Sequence, residues 1–211
     1  MRSRSVAVQV FPEHVPATLA TRTTRVAGVL LGEPTVRPDV RGWFVRIFDE
    51  QEWPPPTGCG AGRWVQENQL RSRYGTIRGM HFRADLQEAK MVRVVAGEAF
   101  DVVVDVRPWS STFLQWDAFI LDEHRHEQLF VPPGCAHGFQ ALTDRVDICV
   151  KTSTYYDPSL DRGFSWQDEQ IGIRWPIPDA IVSDRDRTAP TFADVRPQLA
   201  SWFGASEPRP T

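Results

Sequence analysis

Cysteine is scarce in this chain, with three in 211 residues: Cys59, Cys135 and Cys149. Their odd number and the lack of any Cys-x-x-Cys spacing argue against a disulfide framework or a zinc knuckle, and free thiols are expected. Lysine is scarcer still. Only Lys90 and Lys151 occur, the rest of the 24 basic residues being arginine. There is no excess of positive charge: the formal net charge is -3 and the pI is near 6.0. Such a balance exerts no general pull on nucleic acid or on anionic lipid, so any anion binding has to be local. Long hydrophobic runs are missing too. Nothing approaches the roughly 18 apolar residues of a membrane-spanning helix. The opening MRSRSVAVQVFPEHVP breaks its apolar stretch at Gln9 and Pro12, too early for a secretory h-region. The expectation is a cytoplasmic protein with no membrane contact, no internal repeat and no low-complexity tract.

What is present is a sizeable apolar fraction, 41% of residues with eight tryptophans, enough for the core of one domain. Residues 1–24 carry no clear period and contain Pro12 and Pro16, which suggests an N-terminal arm. From Val26 onward short apolar runs alternate with turn residues. WVQENQLRS, VRVVAGEAFDVVVDVR, LQWDAFIL, EQLFVPPG, HGFQAL and VDICVKTSTYY follow one another, punctuated by glycine and proline. Closely spaced short strands of this kind predict an all-β sandwich or barrel. WPPPTGCGAGR, with Pro54 to Pro56, reads as a loop because proline breaks both helix interior and strand ladder. Helical character is expected only near Asp49–Trp53 and in DVRPQLASWF. The domain is placed at residues 25–195, with a short helix and tail over 196–211.

Chemistry concentrates in TIRGMHFRADLQEAKMVRVVAGEAFDVVVDVR, Thr76 to Arg107. His81 and Lys90 stand there in strand-patterned sequence, and Lys90 opens the apolar run Met91 to Val95. An ammonium buried at such a position costs several kcal/mol unless an anion meets it. A cationic pocket that receives an anion or a developing oxyanion accounts for both residues. A second turn, VPPGCAHGF, delivers His137. In a small barrel such turns set inward-facing side chains around a central cavity.

IRGMHF, AKMVRVVAGEAFDVVVDVR, FVPPGCAHGFQAL, TYYDPSLDRGFSW and IGIRWP, in this order over about residues 26–195, resemble the sequence blocks of the dTDP-4-dehydrorhamnose 3,5-epimerase family. The resemblance implies a cupin-type jelly-roll β-barrel with short peripheral helices. It also implies a cofactor-free isomerase of deoxysugar biosynthesis in secondary metabolism, acting on a dTDP-linked keto-sugar. In that family a histidine oriented by a distant aspartate removes a proton beside a keto group, and a tyrosine returns one from the other face. The histidine corresponds to His81 and its partner to Asp186, with Asp184 a close competitor in VSDRDRT. Lys90 and His137 correspond to positions facing the enolate. Arg41, Gln66, Asn68 and Arg78 correspond to the nucleotide-binding set, and Tyr155 to a thymine-stacking position. Arg41 is implied to serve a neighbouring subunit, hence a homodimer.

Three positions depart from the family pattern. The tyrosine position reads Val150, Arg46 stands where a glutamate is usual, and Leu70 replaces a small polar residue. The leading expectation is therefore proton abstraction at C3, at C5 or at both, possible loss of one inversion included. An epimerase-like barrel recruited to another proton-transfer isomerisation or cyclisation, and a non-catalytic binding barrel, are the alternatives. The metal signature of this fold can be traced on His124, His126, Glu127 and His137. It falls in a charged hairpin away from His81, so no metal is expected.

Overall fold

The computed structural model describes residues 19–53 and 62–204. In chain order the strands are β1 (Leu19–Thr23), β2 (Leu30–Pro34), β3 (Val36–Asp39), β4 (Gly42–Val45), β5 (Gln66–Ser72), β6 (Ile77–Arg83) and β7 (Lys90–Ala96). They continue with β8 (Glu98–Asp105), β9 (Trp116–Asp122), β10 (Gln128–Val131), β11 (Cys135–Ala141), β12 (Val146–Thr152) and β13 (Asp161–Gly163). Three short α-helices follow among the described residues: α1 (Asp184–Arg187), α2 (Phe192–Val195) and α3 (Leu199–Phe203).

Two antiparallel sheets make up the body. One runs in the order β1-β2-β10-β7-β12-β5 and the other β13-β6-β11-β8-β9, while β3 and β4 form a separate hairpin. This is the all-β jelly-roll layout expected, with its helices peripheral. The inner faces pack against each other through Val92 and Val94 of β7, Leu129 and Val131 of β10 and Ile148 of β12. Val103 of β8, Leu121 of β9 and Phe139 of β11 meet them from the other sheet.

The five-stranded sheet is covered on its outer face as well. There Met80, Phe82, Val102, Val104 and Ala136 pack on Phe164, Phe192, Val195, Leu199 and Phe203. Burial on both faces explains why FDVVVDV is apolar almost throughout and does not alternate. Trp53, Met91 and Phe130 form a smaller cluster on the outside of the six-stranded sheet.

Some boundaries differ from the sequence reading. The arm placed at residues 1–24 ends in a strand, because Leu19–Thr23 pair in register with Pro34–Leu30 of β2; residues 1–18 lie outside the described residues, as do most of the proline loop and Cys59. Asp49–Trp53 form a hydrogen-bonded turn, Glu52 and Trp53 both donating to the Asp49 carbonyl, and no helix grows from it. The helix expected in DVRPQLASWF is split by a 3-10 segment, Arg196–Gln198, that begins with Pro197 at its second position. Cys135 and Cys149 are free and buried, and burial pushes the Cys135 thiol up to about 12, so it is not a nucleophile near neutral pH.

Candidate active site

Strand parity decides which side chains reach the interior. On β6, Met80 and Phe82 point outward into the helix-covered layer, so His81 between them points inward. On β11, Ala136 points outward while Cys135 and Phe139 join the inner core, which turns His137 inward. His81 and His137 are direct Cα partners across β6 and β11. Facing them, Val92 and Val94 of β7 are inward, so Lys90 is as well. Ile148 and Val150 of β12 and Leu70 of β5 lie on the same inner face of the other sheet.

His81, His137, Lys90, Val150 and Leu70 line one cavity of about 590 Å³ between the sheets. Its wall on the five-stranded sheet carries Ile77, Arg78, His81, His137 and Phe139. Its wall on the six-stranded sheet carries Asn68, Leu70, Lys90, Val150 and Thr152. Arg83, Glu88, Tyr156, Asp157, Asp161, Arg185 and Asp186 complete the rim and one end.

The register between β6 and β11 slips between His137 and Phe139, where β6 has one residue more than β11. Bulges of this kind re-aim side chains beside a site. The crossing is tight: a Cβ on Gly79 would stand 2.6 Å from Gly138 Cα, and one on Gly138 would stand 2.7 Å from Met80 Sδ. Gly79 also has φ +145, a conformation side chains disfavour. Glycine at both positions therefore keeps the two histidine-bearing strands at their observed separation.

Each histidine has its own carboxylate. His81 Nε2 lies 2.7 Å from Asp186 Oδ1, and Asp186 is 4% exposed. The Gly79 N–H donates to the other oxygen, Oδ2, at 3.4 Å. Asp186 is delivered by α1, whose N-cap Ser183 accepts from the Asp186 N–H and so orients this one turn. Burial pushes the Asp186 carboxyl up, but the His81 hydrogen bond and charge, with the Gly79 N–H, outweigh it and hold the group below the usual carboxylate range. An ionised Asp186 accepting from Nε2–H leaves Nδ1 as the basic nitrogen of His81.

The second pair is His137 with Asp101, Nε2 to Oδ1 at 2.9 Å. Asp101 is fully buried and its Oδ2 has no hydrogen-bond partner among the described residues. Lys90 Nζ sits 3.2 Å from Glu88 Oε1.

Not every expected site residue arrives. His81, Asp186, Lys90, His137, Asn68 and Arg78 share the cavity. Gln66 stands just outside it and supports its edge, donating to Asn68 Oδ1 and accepting from the Tyr156 N–H. Tyr155 is outside the lining and 69% exposed; the tyrosine at the cavity is Tyr156. Strand β12 ends at Thr152, so the alternation that would have told the two apart has already lapsed. Arg41 is far from the lining, on the β3–β4 hairpin, paired with Asp39. Asp184, the competitor of Asp186, has a side chain 97% exposed.

Asp101 and Glu88 were missed. The signal for Asp101 was available, since it falls on the inward parity of β8 between Ala99 and Val103, where a carboxylate has no packing reason to be. His124 is exposed, and His126 stacks on Trp43 with ring centroids 4.4 Å apart. Among the described residues no three His, Cys, Asp or Glu side chains are grouped as a metal set.

Comparison with known proteins adds three findings. Residues 23–194 match the family model described as dTDP-4-dehydrorhamnose 3,5-epimerase. The dTDP-4-dehydrorhamnose 3,5-epimerase of Shigella flexneri is 37% identical over 173 residues, 82% of this chain and 95% of that protein. Two solved structures superpose with TM-scores of 0.80. One is the dTDP-6-deoxy-D-glucose-3,5-epimerase of Legionella pneumophila in complex with dTDP-4-keto-L-rhamnose, 33% identical, covering 86% of this chain and 96% of its own. The other is a 4-keto-6-deoxy sugar epimerase from the novobiocin biosynthetic gene cluster of Streptomyces spheroides, 32% identical, covering 89% and 96%.

Proposed function

This chain belongs to the dTDP-4-dehydrorhamnose 3,5-epimerase family, and from that premise we propose that His81, oriented by Asp186, removes the proton alpha to the keto group of a dTDP-4-keto-6-deoxyhexose. The protein is an isomerase, a nucleotide-sugar epimerase. The observation that carries the assignment is the 2.7 Å contact between His81 and a carboxylate 105 residues away, at the wall of the 590 Å³ cavity. Asp186 fixes the tautomer that presents a basic Nδ1 and stabilises the imidazolium once the proton has moved.

Removing that proton places negative charge on the C4 oxygen. His137, when protonated on both nitrogens with Nε2–H on buried Asp101, is the donor assigned to it through Nδ1–H, with the Lys90 ammonium adding positive potential in the same enclosure. The diphosphate end is assigned to Arg78 at the cavity edge, and the base end to Asn68 with Tyr156 at the rim. Val150 and Leu70 make the facing wall apolar at the level where a hydroxyl would return a proton, so one carbon rather than two is expected to invert efficiently.

The β3–β4 hairpin is assigned to a second copy of this chain. Val40 and Trp43 on it are 103% and 61% exposed, apolar surface that a homodimer contact would cover and that would carry Arg41 to a neighbouring cavity. Light scattering on Trp43→Ser tests this: a dimer reduced to monomer is the expected result. A cytoplasmic location is part of the same proposal, supported by the free buried thiols. No helix among the described residues is long and apolar enough to cross a membrane.

The test of the function is incubation with dTDP-4-keto-6-deoxyglucose and separation of the epimers. Inversion at C3 or C5 is expected from the wild type and is abolished in His81→Ala; unchanged inversion in that variant would remove His81 from the mechanism.

A further inference from the structure

Inversion at carbon needs a base on one side of the ring and an acid on the other. The base stands on the inner face of the five-stranded sheet. The acid has to come from the inner face of the six-stranded sheet, and the residues that face contributes to the cavity are Asn68, Leu70, Lys90, Val150 and Thr152, with Glu88 just before β7. Leucine and valine have no proton to give, and the amide and the hydroxyl hold theirs far too tightly. Lys90 does have one. Its ammonium lies 3.2 Å from Glu88 Oε1, and both side chains are largely buried, 17% and 14% exposed.

The other ionisable groups of the cavity are already engaged elsewhere. Arg83 donates to Asp85, to Thr154 Oγ1 and to the Tyr155 carbonyl. Arg185 donates to Asp161, and Asp157 accepts from Ser159. Arg78 bonds Ser72 Oγ and the Arg71 carbonyl, and arginine does not release a proton in any case. Tyr156 lines the rim but is 65% exposed.

We propose that Lys90, set in place by Glu88, is the acid that returns the proton to the face of the sugar opposite His81, a role that rests on the epimerase reading above. In the first half of the reaction the α C–H bond breaks, its proton goes to His81 Nδ1 and the electron pair moves into the enolate. In the second half an N–H bond of the Lys90 ammonium breaks and a new C–H bond forms on the other face, leaving a neutral amine. His81 then loses a proton to water and Lys90 regains one, so no other reactant is consumed. Glu88 is a positioning residue: its carboxylate, 3.2 Å from the ammonium, holds it against the wall until the enolate forms.

Lys90→Arg separates this role from simple charge stabilisation. Arginine keeps the positive charge but cannot give up a proton. Ring-position-resolved deuterium uptake from heavy water and epimer formation are measured on the same sample of dTDP-4-keto-6-deoxyglucose. In Lys90→Arg, uptake by His81 is expected to stay within about tenfold of wild type, whereas inversion falls by about 10²-fold or more. Glu88→Gln is expected to lower kcat for inversion by about tenfold while KM and uptake stay unchanged.

Melting temperature and dTDP binding check that each variant folds. If the arginine variant is unstable, Lys90→Gln takes its place, with inversion again expected to fall by more than uptake does. Inversion at the wild-type rate in either Lys90 variant, or a proportional loss of uptake and inversion, overturns the proposal and leaves the epimerase reading standing. A wild-type enzyme that shows neither uptake nor inversion overturns both.

Discussion

His81 with Asp186 and His137 with Asp101 are two copies of one device, side by side on adjacent strands, and they differ in depth. The imidazoles are Cα partners, and each has a carboxylate within hydrogen-bond distance. The His81 side chain keeps 27% of its surface open, and its aspartate is held by two further groups: the Gly79 N–H on its carboxylate and the Ser183 cap on its backbone. The His137 side chain is 9% exposed, and its aspartate is fully buried with one oxygen unpartnered. An open histidine on a well-satisfied carboxylate can cycle a proton with substrate and solvent. A buried histidine on a one-sided carboxylate can donate a hydrogen bond from a fixed position. In the proposed mechanism the same pair of residue types serves proton transfer in one place and charge stabilisation in the other, with burial distinguishing the two.

The comparison breaks first if the two pairs prove interchangeable. Asp186→Asn is expected to lower the epimerisation rate by about 10³-fold, because the amide no longer stabilises the imidazolium or fixes the tautomer, while thermal stability changes little. Asp101→Asn is expected to lower it only about tenfold, and its melting temperature is expected to move by several degrees, since an amide can use the partnerless position differently. Rate assays and thermal melts on both variants decide this. Equal rate losses would mean that depth does not set the role.

A smaller effect tests the strand crossing that holds the two histidines together. Gly79→Ala is expected to destabilise the fold by about 2–3 kcal/mol, since its Cβ meets Gly138 backbone that has nowhere to go. Denaturant melts measure it, and a change below about 0.5 kcal/mol would mean the strands are not pinned there. Val150→Tyr adds a hydroxyl to the apolar wall and is expected to raise inversion by up to about tenfold without altering dTDP binding. Epimer ratios over time report it.

The mildest perturbation is acid. Burial pushes the Asp105 carboxyl up, but hydrogen bonds from Arg107, Ser110 and Thr112 outweigh it, so this group, like Asp186, titrates below the ordinary carboxylate range. A depressed carboxylate contributes stability that is fully present above its unfolded pKa and is lost as pH falls through the lower folded value. The melting temperature is therefore expected to stay level above about pH 5 and to drop progressively below about pH 4. A melting temperature still level at pH 3 would contradict this.

Much of the architecture was legible in the sequence, for reasons the structure makes plain. Short apolar runs bounded by glycine and proline became β5 through β12 because each has at least one face to bury. The positions of His81 and Lys90 were legible because a polar residue inside such a run has to point at something polar. Asp186 was harder to place. SDRDRT looks like a solvated charge run, and only a single capped turn with Ser183 at its start sends Asp186 inward and leaves Asp184 out. Tyr155 and Tyr156 could not be separated because they follow the end of β12, where strand parity no longer applies. The resemblance implied Arg41 as a binding residue; among the described residues it is paired with Asp39 of its own hairpin. Glu88 gave no sign in sequence, because its meaning depends on Lys90 turning back toward it across two residues.

The central claim is that His81 takes hydrogen from a ring carbon beside a keto group. It is tested most directly by incubating dTDP-4-keto-6-deoxyglucose in heavy water and reading deuterium at each ring position by NMR. Uptake at C3, at C5 or at both, and at no other ring carbon, with none in His81→Ala, is the expected result. Uptake at neither carbon, or equal uptake in the His81→Ala variant, would contradict it.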